Sequence, residues 1–436
     1  MNESLVEVGA SSLVVEVPAG TAMSGYAART SGSTGTHDPC TVRALAVGET
    51  CWVTVDVCAL HEDTCSQIVD AAGLPTAHLA VSSTHTHAGP ACTPGRLGGD
   101  DELVRAQIVS VAAAAVADAR GSRGPATVFH SRAHGVGVAV DRRRAGEPID
   151  PPVDLMRFGR PDGTVIAWLA TYPCHPVVLS ADNRLISGDY VSFLREELER
   201  VSPGSIALFL PGAAGDVNNG HAPEASFSSG AQRGRTFAEA ERIGRRIAGV
   251  ALDAEVRPVA VGPDHQGRGA VVAAERVVTL ELRALDAEPP GILAHRWQDE
   301  LTTADAGRAA LLRSWIGWAH SRDADADPTS WEARVTVMRW GEVTVIGLPG
   351  EPFHSCRDAI ETALHRALRA RGGRTGRVLV TGYTNGCPGY LPDEAAYSLG
   401  GYEVLDAHRY YGLPAPFARG SIEQLQAAAV DLAVEP

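Results

Sequence analysis

Apolar positions along this chain follow two rhythms that take turns. Short β-branched runs, "LVVEV" (13–17), "TVRALAVG" (41–48) and "CWVTVDVCAL" (51–60), predict strands, and "GET" turns the last two back on each other. A segment of helical spacing follows at "EDTCSQIVDAAG" (62–73), then a strand at "HLAVSS" (78–83). Residues 101–119 read as a second helix, opened by acidic side chains that suit the positive end of its dipole. The succession then recurs in outline. A hairpin over 154–172 turns at Pro-Asp-Gly, and a helix (190–201), a strand (205–212) and a long helix (235–254) come after it. A strand-and-helix layer over 255–330 has the look of an insertion. Beyond it lie a hairpin (334–353), a helix (355–370), a strand (377–383), a Gly- and Tyr-rich loop, and a C-terminal helix (422–434). No fixed-period repeat is visible. The pattern predicts a mixed α/β (α+β) fold in a single large domain over 1–436, with polar motifs in loops at strand ends.

Composition adds three exclusions. The 436 residues are 44% hydrophobic and 21% charged, ordinary for a globular chain with a large core. A net charge of −14, with no basic run beyond "DRRR", argues against nucleic acid or anionic lipid as partner. No apolar stretch approaches the roughly 20 residues that span a bilayer. "IVSVAAAAVADA" is short and reads as a buried helix. The N-terminal residues are acidic where an export signal would be basic, and the eight cysteines stand singly with no CxxC. Reduced thiols, no disulfides and a cytoplasmic location are therefore expected.

The chemistry gathers at strand exits. "VSSTHTHAGP" (81–90) carries two imidazoles directly after an apolar run. Residues at i and i+2 of a strand share a face, so His85 and His87 can address one point. His175 in "TYPCHPVV" and Glu351 in "VIGLPGEPF" also follow strands, each beside a proline. Neutral imidazole is the commonest metal ligand, and zinc needs three or four converging groups. Taken singly, His-x-His is equally a pair of structural histidines; three exits with ligand-type residues point to one metal at one rim. "TNGCPGYLPDEAAYSLGGYE" sets Tyr390, Tyr397 and Tyr402 in a polar loop unlike core packing. "FLPGAAGDVNNG" places Asp216 and Asn218 in a turn or a substrate-gripping loop. Asp216 and Asp189 could fix histidine tautomers or cap a turn or helix.

In this order, "THTHAGP", "CHPVVL...ISGDY", "GDVNN", "LPGE" and "YTNGCPGYLP...Y...GGYE" resemble the neutral/alkaline (non-lysosomal) ceramidase family. "MSGYAAR" and "VDRRR" are similar to further stretches of that family, so the resemblance runs from about residue 20 to about residue 405. It implies a single zinc ion held by His85, His175, Glu351 and Tyr390, with His87, Arg142 and Tyr402 at the reacting carbonyl. It implies hydrolysis of an amide by zinc-activated water. Three departures qualify the substrate. Asn218 stands where secreted ceramidases carry a serine, the C-terminal immunoglobulin-like domain is missing, and so is the signal peptide. A small soluble amide is thus expected rather than a membrane lipid. The same site could instead cleave an ester or lactone or transfer an acyl group to an amine, and a non-catalytic binding protein is the reading of a different class. A TIM-barrel metal hydrolase fits less well, because there His-x-His ends the first strand and here several strands precede it.

Overall fold

The computed structural model describes residues 5–96, 98–144, 147–220, 234–261, 271–284, 288–323 and 326–435. Parts of the expected N-terminal strand segment (1–4) and of the inserted layer (262–270, 285–287 and 324–325) lie outside the described residues.

One motif recurs three times at unequal spacing. Thr41–Val47 and Thr50–Val55 pair antiparallel, the helix Glu62–Ala72 crosses over, and Leu79–Ser83 returns parallel to Thr50–Val55. Val153–Gly159, Val165–Tyr172, the helix Tyr190–Val201 and Ile206–Pro211 repeat it. Ser330–Trp340, Val343–Gly347, the helix Ser355–Ala370 and Arg377–Thr381 repeat it again.

The first two copies share a nine-stranded mixed sheet, and the third belongs to a four-stranded sheet with Val271–Glu281. Two central strands, with the short Arg257–Val259 paired to one of them, complete the larger sheet. Val6–Val14 begins earlier than "LVVEV" suggests, because only Val6 and Val8 give its first half an apolar signal, while Gly9 and Ser11, buried on the other face, give none. Gly124–Ala133 had no clear signature, since glycine, proline and polar residues dilute its apolar positions. The strand begun at Thr50 also stops at Val55, well short of the end of its apolar run.

The two sheets pack face to face. Trp52, Phe158, Trp340 and Leu379 fill the space between them. Neighbouring positions point outward: Ala44, Val53 and Val55 meet the helices Glu62–Ala72 and Glu102–Gly121. Val153, Leu155 and Phe209 meet Tyr190–Val201 and Phe237–Leu252, and Val335, Val337 and Val380 meet Ser355–Ala370 and Ser421–Val434. The result is a four-layer α/β/β/α arrangement. Strands buried on both faces explain why "SIALFLP" reads as an unbroken apolar run. A helical hairpin, Pro290–Leu301 and Ala306–His320, is inserted between Val271–Glu281 and Ser330–Trp340 with its own small core around Trp297, Leu312, Trp315 and Trp318. All eight cysteines are buried and free. Among the described residues no helix is long and apolar enough to cross a membrane.

Each copy of the motif ends in a parallel pair, and ligands in α/β proteins gather beyond the carboxyl ends of such strands. Here the three ends meet: isolated bridges join Ser82 to Thr384 and Gly212 to Thr381. A buried ion pair steadies the first of them. Asp56, just past Val55, accepts from both Arg195 Nη1 and Nη2 at 2.9 Å, from Thr41 Oγ1 at 2.6 Å and from Thr84 Oγ1 at 3.2 Å. Burial works against the Asp56 charge, but Arg195 and the hydroxyls outweigh it and hold the carboxyl below its usual range.

Arg195→Met should cost about 3–5 kcal/mol in urea unfolding, since it leaves a buried carboxylate without its counter-charge. Adding Asp56→Asn should restore part of that loss; an additive double variant would show that the pair is not coupled.

Candidate metal centre

Glu351 is the hub. After Val343–Gly347 the chain breaks at Pro-Gly, where Gly350 has φ 68° and a Cβ would lie 2.5 Å from Gly389 O. Only glycine fits there. That close approach lets Glu351–Pro352 pair in parallel with Tyr390–Leu391, so Glu351 and Tyr390 are register partners. The Glu351 side chain is fully buried. Its Oε2 lies 2.9 Å from His175 Nε2 and 3.4 Å from His85 Nε2. Tyr383 donates to the same oxygen at 3.3 Å, and the Tyr411 hydroxyl donates to Oε1.

Both histidines are aimed from behind by main chain. His85 Nδ1 lies 2.6 Å from Cys58 O, and His175 Nδ1 lies 2.9 Å from Val217 O. A carbonyl can only accept, so each Nδ1 carries hydrogen and each ring turns its Nε2 toward Glu351. The ligand atoms of His85, His175 and Glu351 lie within 4.8 Å of one another, and all three residues are buried. Of two further groupings among the described residues, Cys58 with His85 and His87 shares this centre, and Asp141, Asp216 and His354 lie elsewhere.

The tautomer role expected for the aspartates goes instead to these carbonyls. Asp189 caps the helix at Tyr190 N and accepts from Leu179 N at 2.8 Å. Asp216 accepts from His354 N at 2.8 Å and pairs with His354 Nδ1 at 2.7 Å. The i, i+2 argument also fails in its stated form. The strand ends at Ser83, and His85 has φ 64°. The left-handed turn nevertheless brings His87 Nε2 to 3.3 Å from His85 Nε2. Tyr383 (φ 55°) and Asn385 (φ 57°), on the adjoining strand exit, are also in this sparsely populated region, a concentration of backbone strain typical of functional sites.

His87 occupies the open side of the centre. Its Nδ1 is buried without a hydrogen-bond partner beneath Gly25, where a Cβ would come within 2.5 Å of the ring. The Tyr26 ring meets it edge-on at 5.0 Å, and Arg29 Nη1 donates to His87 O at 2.7 Å. Opposite, the short pairing of Val217–Asn218 with Val140–Asp141 brings in Arg142. Its guanidinium sits 5.3 Å over the Tyr390 ring while Nε binds Glu403 Oε1 at 2.8 Å. Arg143 shares Glu403 but lies over Phe353, and Arg144 is exposed, so Arg142 is the arginine of the three that faces Tyr390. Tyr390 packs edge-on with Tyr402 at 5.9 Å and with Tyr411 at 6.0 Å. Contrary to the loop expectation, Tyr390 and Tyr397 both belong to the buried core and Tyr402 packs against it; the Tyr397 hydroxyl donates to Phe417 O at 2.9 Å. Asn218 is buried, and its Oδ1 accepts from Gly220 N at 2.8 Å.

The structure thus gathers His85, His87, His175, Glu351, Tyr390, Arg142 and Tyr402, and sets Asp216 toward His354. Sequence reasoning missed Tyr383 and Tyr411. Tyr383 could have been found, since "VTGYTNG" is another strand exit with a polar group; Tyr411 in "RYYGLP" carries no such signal.

Burial works against the Glu351 charge, yet the two imidazoles hold its carboxyl well below the usual range. Burial would lower His85 too, but Glu351 outweighs it and raises His85 to about 10. His175, buried and facing Arg142, falls to about 4. Burial, with the Glu351 charge beside them, pushes the Tyr383, Tyr390 and Tyr411 phenols up; Arg142 partly opposes this at Tyr390. An anion this dry calls for a positive charge; protonated His85 supplies one here, and the same Nε2 atoms and carboxylate form a donor set that suits a divalent ion.

No family model and no curated protein matches this chain. Solved structures do. A ceramidase complexed with C2 has a TM-score of 0.74 at 17% identity, covering 99% of this chain and 75% of its own. A neutral ceramidase from Pseudomonas aeruginosa has a TM-score of 0.74 at 17% identity, covering 99% of this chain and 74% of its own. At that identity the likeness is one of fold: this chain has the neutral ceramidase fold.

Asp216 gives the neighbourhood a pH signature. Burial alone would lower His354, but hydrogen bonding to Asp216 raises it above 6.5. The folded protein therefore binds this proton more tightly than the unfolded chain. The pair's stabilisation is complete below about pH 6.5 and is lost as pH rises through the higher folded value. In Asp216→Asn, the His354 titration followed by NMR should move to lower pH and this stability slope should flatten.

Proposed function

We propose that the protein is a zinc-dependent amidohydrolase that cleaves the carboxamide bond of a small N-acyl compound with water. The observation that carries this reading is the convergence of His85 Nε2, His175 Nε2 and the Glu351 carboxylate in a buried centre, with His87 Nε2 3.3 Å from that of His85. His85, His175, Glu351 and Tyr390 would hold the ion. When bound, zinc lowers the pKa of water toward about 7 and polarises a carbonyl.

The remaining steps fall to the chain. His87, next to a ligand but outside the group of three, takes a proton from the attacking water at Nε2 and returns it to the leaving nitrogen. A C–O bond forms, the C–N bond breaks, and the amine departs with that proton. Arg142 and Tyr402, arranged around Tyr390, donate to the oxyanion. Tyr383 and Tyr411 fix the Glu351 carboxylate, and the carbonyls of Cys58 and Val217 keep both imidazoles turned inward. Asn218 and Asp216 shape the loop next to Arg142, whose main-chain N–H donates to Asp216 O at 3.0 Å. The fold of the neutral ceramidases supports amide chemistry as a class. Eight free buried cysteines suit a reducing compartment, so this reading places the enzyme in the cytoplasm, with the whole chain as one catalytic domain.

Elemental analysis and an amide-hydrolysis assay separate the two kinds of residue. His85→Ala should lose both bound zinc and turnover. His87→Ala should keep zinc while turnover falls by about 100- to 10,000-fold. Arg142→Ala should keep zinc and lose roughly 100- to 1,000-fold in kcat. Full zinc occupancy in His85→Ala would overturn the ligand assignment.

A further inference from the structure

A cavity of about 610 Å³ opens beside the centre. This lies within the roughly 300–1,000 Å³ of small-molecule sites. Its wall stands one residue away from the proposed catalytic groups on two sides. Tyr26 and Arg29, both in its wall, touch His87 through the ring and the carbonyl, and Tyr410 stands 6.4 Å from the Tyr402 ring. The inserted helical hairpin supplies a further wall, presenting Ala310, Ser314 and Gly317, one helical face of small residues that leaves the space open.

The lining is what sets this cavity apart. Four arginines face it, Arg29, Arg96, Arg322 and Arg409, and no carboxylate does among the described residues. In a chain with 52 acidic and 38 basic residues, that segregation is against the composition. Three of the four have acidic partners set back from the wall: Glu62 for Arg96, Asp327 for Arg322 and Asp406 for Arg409. Arg29 differs. It is 9% exposed, and its hydrogen bonds go to the carbonyls of Ser24, His87, Ser180 and Ala181. Carbonyl dipoles solvate a guanidinium without neutralising it; the Asp182 charge opposes its burial only in part, and buried charges are ordinarily paired directly. Tyr26, Tyr410 and Trp318 complete the lining with flat apolar surface.

We infer that this cavity takes the amine half of an anionic amide, an N-acyl amino acid or a close relative, with the carboxylate of the leaving amine held among the arginines. The inference rests on the amidohydrolase reading and names the substrate class of that site. Its polarity follows from His87: the side chain that protonates the leaving nitrogen must face the amine half, and Tyr26, in the cavity wall, packs edge-on against that ring. The products are a fatty or short-chain carboxylate and a free amino acid. A wall of guanidinium groups discriminates against a neutral lipid amine, whose uncharged chain would desolvate Arg29 without bringing it a carboxylate.

The test uses a matched pair that differs only in the carboxylate, N-acetylphenylalanine and N-acetyl-2-phenylethylamine, on the zinc-loaded protein. Charge-assisted bonding should favour the acid by about tenfold or more in kcat/KM. Arg322→Gln and Arg29→Gln should each shrink that preference, chiefly through KM; should Arg29→Gln fail to fold, Arg322→Gln decides. A preference near one, a preference for the neutral amide, or a preference unchanged in the variants would overturn the inference. If neither amide is hydrolysed, the amidohydrolase reading fails instead, and calorimetric titration with the same pair judges the cavity. Binding of the acid about tenfold tighter supports it; equal binding overturns it.

Discussion

A carboxylate with no access to water governs this structure. Glu351 lies at the meeting point of three strand exits, and the low-dielectric surroundings make its charge costly unless every neighbour compensates. Two imidazoles and two phenols do so. Each reaches the carboxylate from a different part of the chain, so the centre can exist only when the sheets have closed around it. The strained backbone at His85 and Tyr383 and the glycine-only approach at Gly350 are further consequences of bringing so many groups to one atom pair.

The fold meets this demand by repetition. Three copies of a hairpin, a crossover helix and a parallel strand send their carboxyl ends to one place, as the bridges Ser82–Thr384 and Gly212–Thr381 record. Each copy contributes something different there: the paired histidines from the first, His175 and the Val217 carbonyl from the second, Glu351 and Tyr383 from the third. The scaffold below is apolar on both faces of both sheets and rigidly packed. The site above is polar, strained and made of loops. That division of labour suits a framework that keeps the neutral ceramidase fold at 17% identity.

Charge is distributed with the same selectivity. The chain is acidic overall, yet the space adjoining His87 is walled by guanidinium groups. The helical hairpin inserted between two strands of the smaller sheet forms part of that wall, so an element outside the repeated motif helps to shape the cavity.

The sequence by itself determined most elements and the identity of the gathered residues. The helices Tyr190–Val201 and Ser355–Ala370 and the hairpins around 160–164 and 341–342 follow from periodicity and turn chemistry, which are local. His85, His175 and Glu351 were legible because each is a polar group displaced just past an apolar run. The threefold recurrence, the weak strand Gly124–Ala133, the part played by Tyr411 and the arginine-lined cavity were not. Neither was the way His85 is oriented, which rests on a left-handed turn and the carbonyl of Cys58 rather than on strand alternation. All of these depend on which segments become neighbours in space, and that is fixed by burial of both sheet faces at once. Local pattern chooses helix or strand; only closure of the packed layers decides whose carbonyl, hydroxyl or guanidinium stands next to whom.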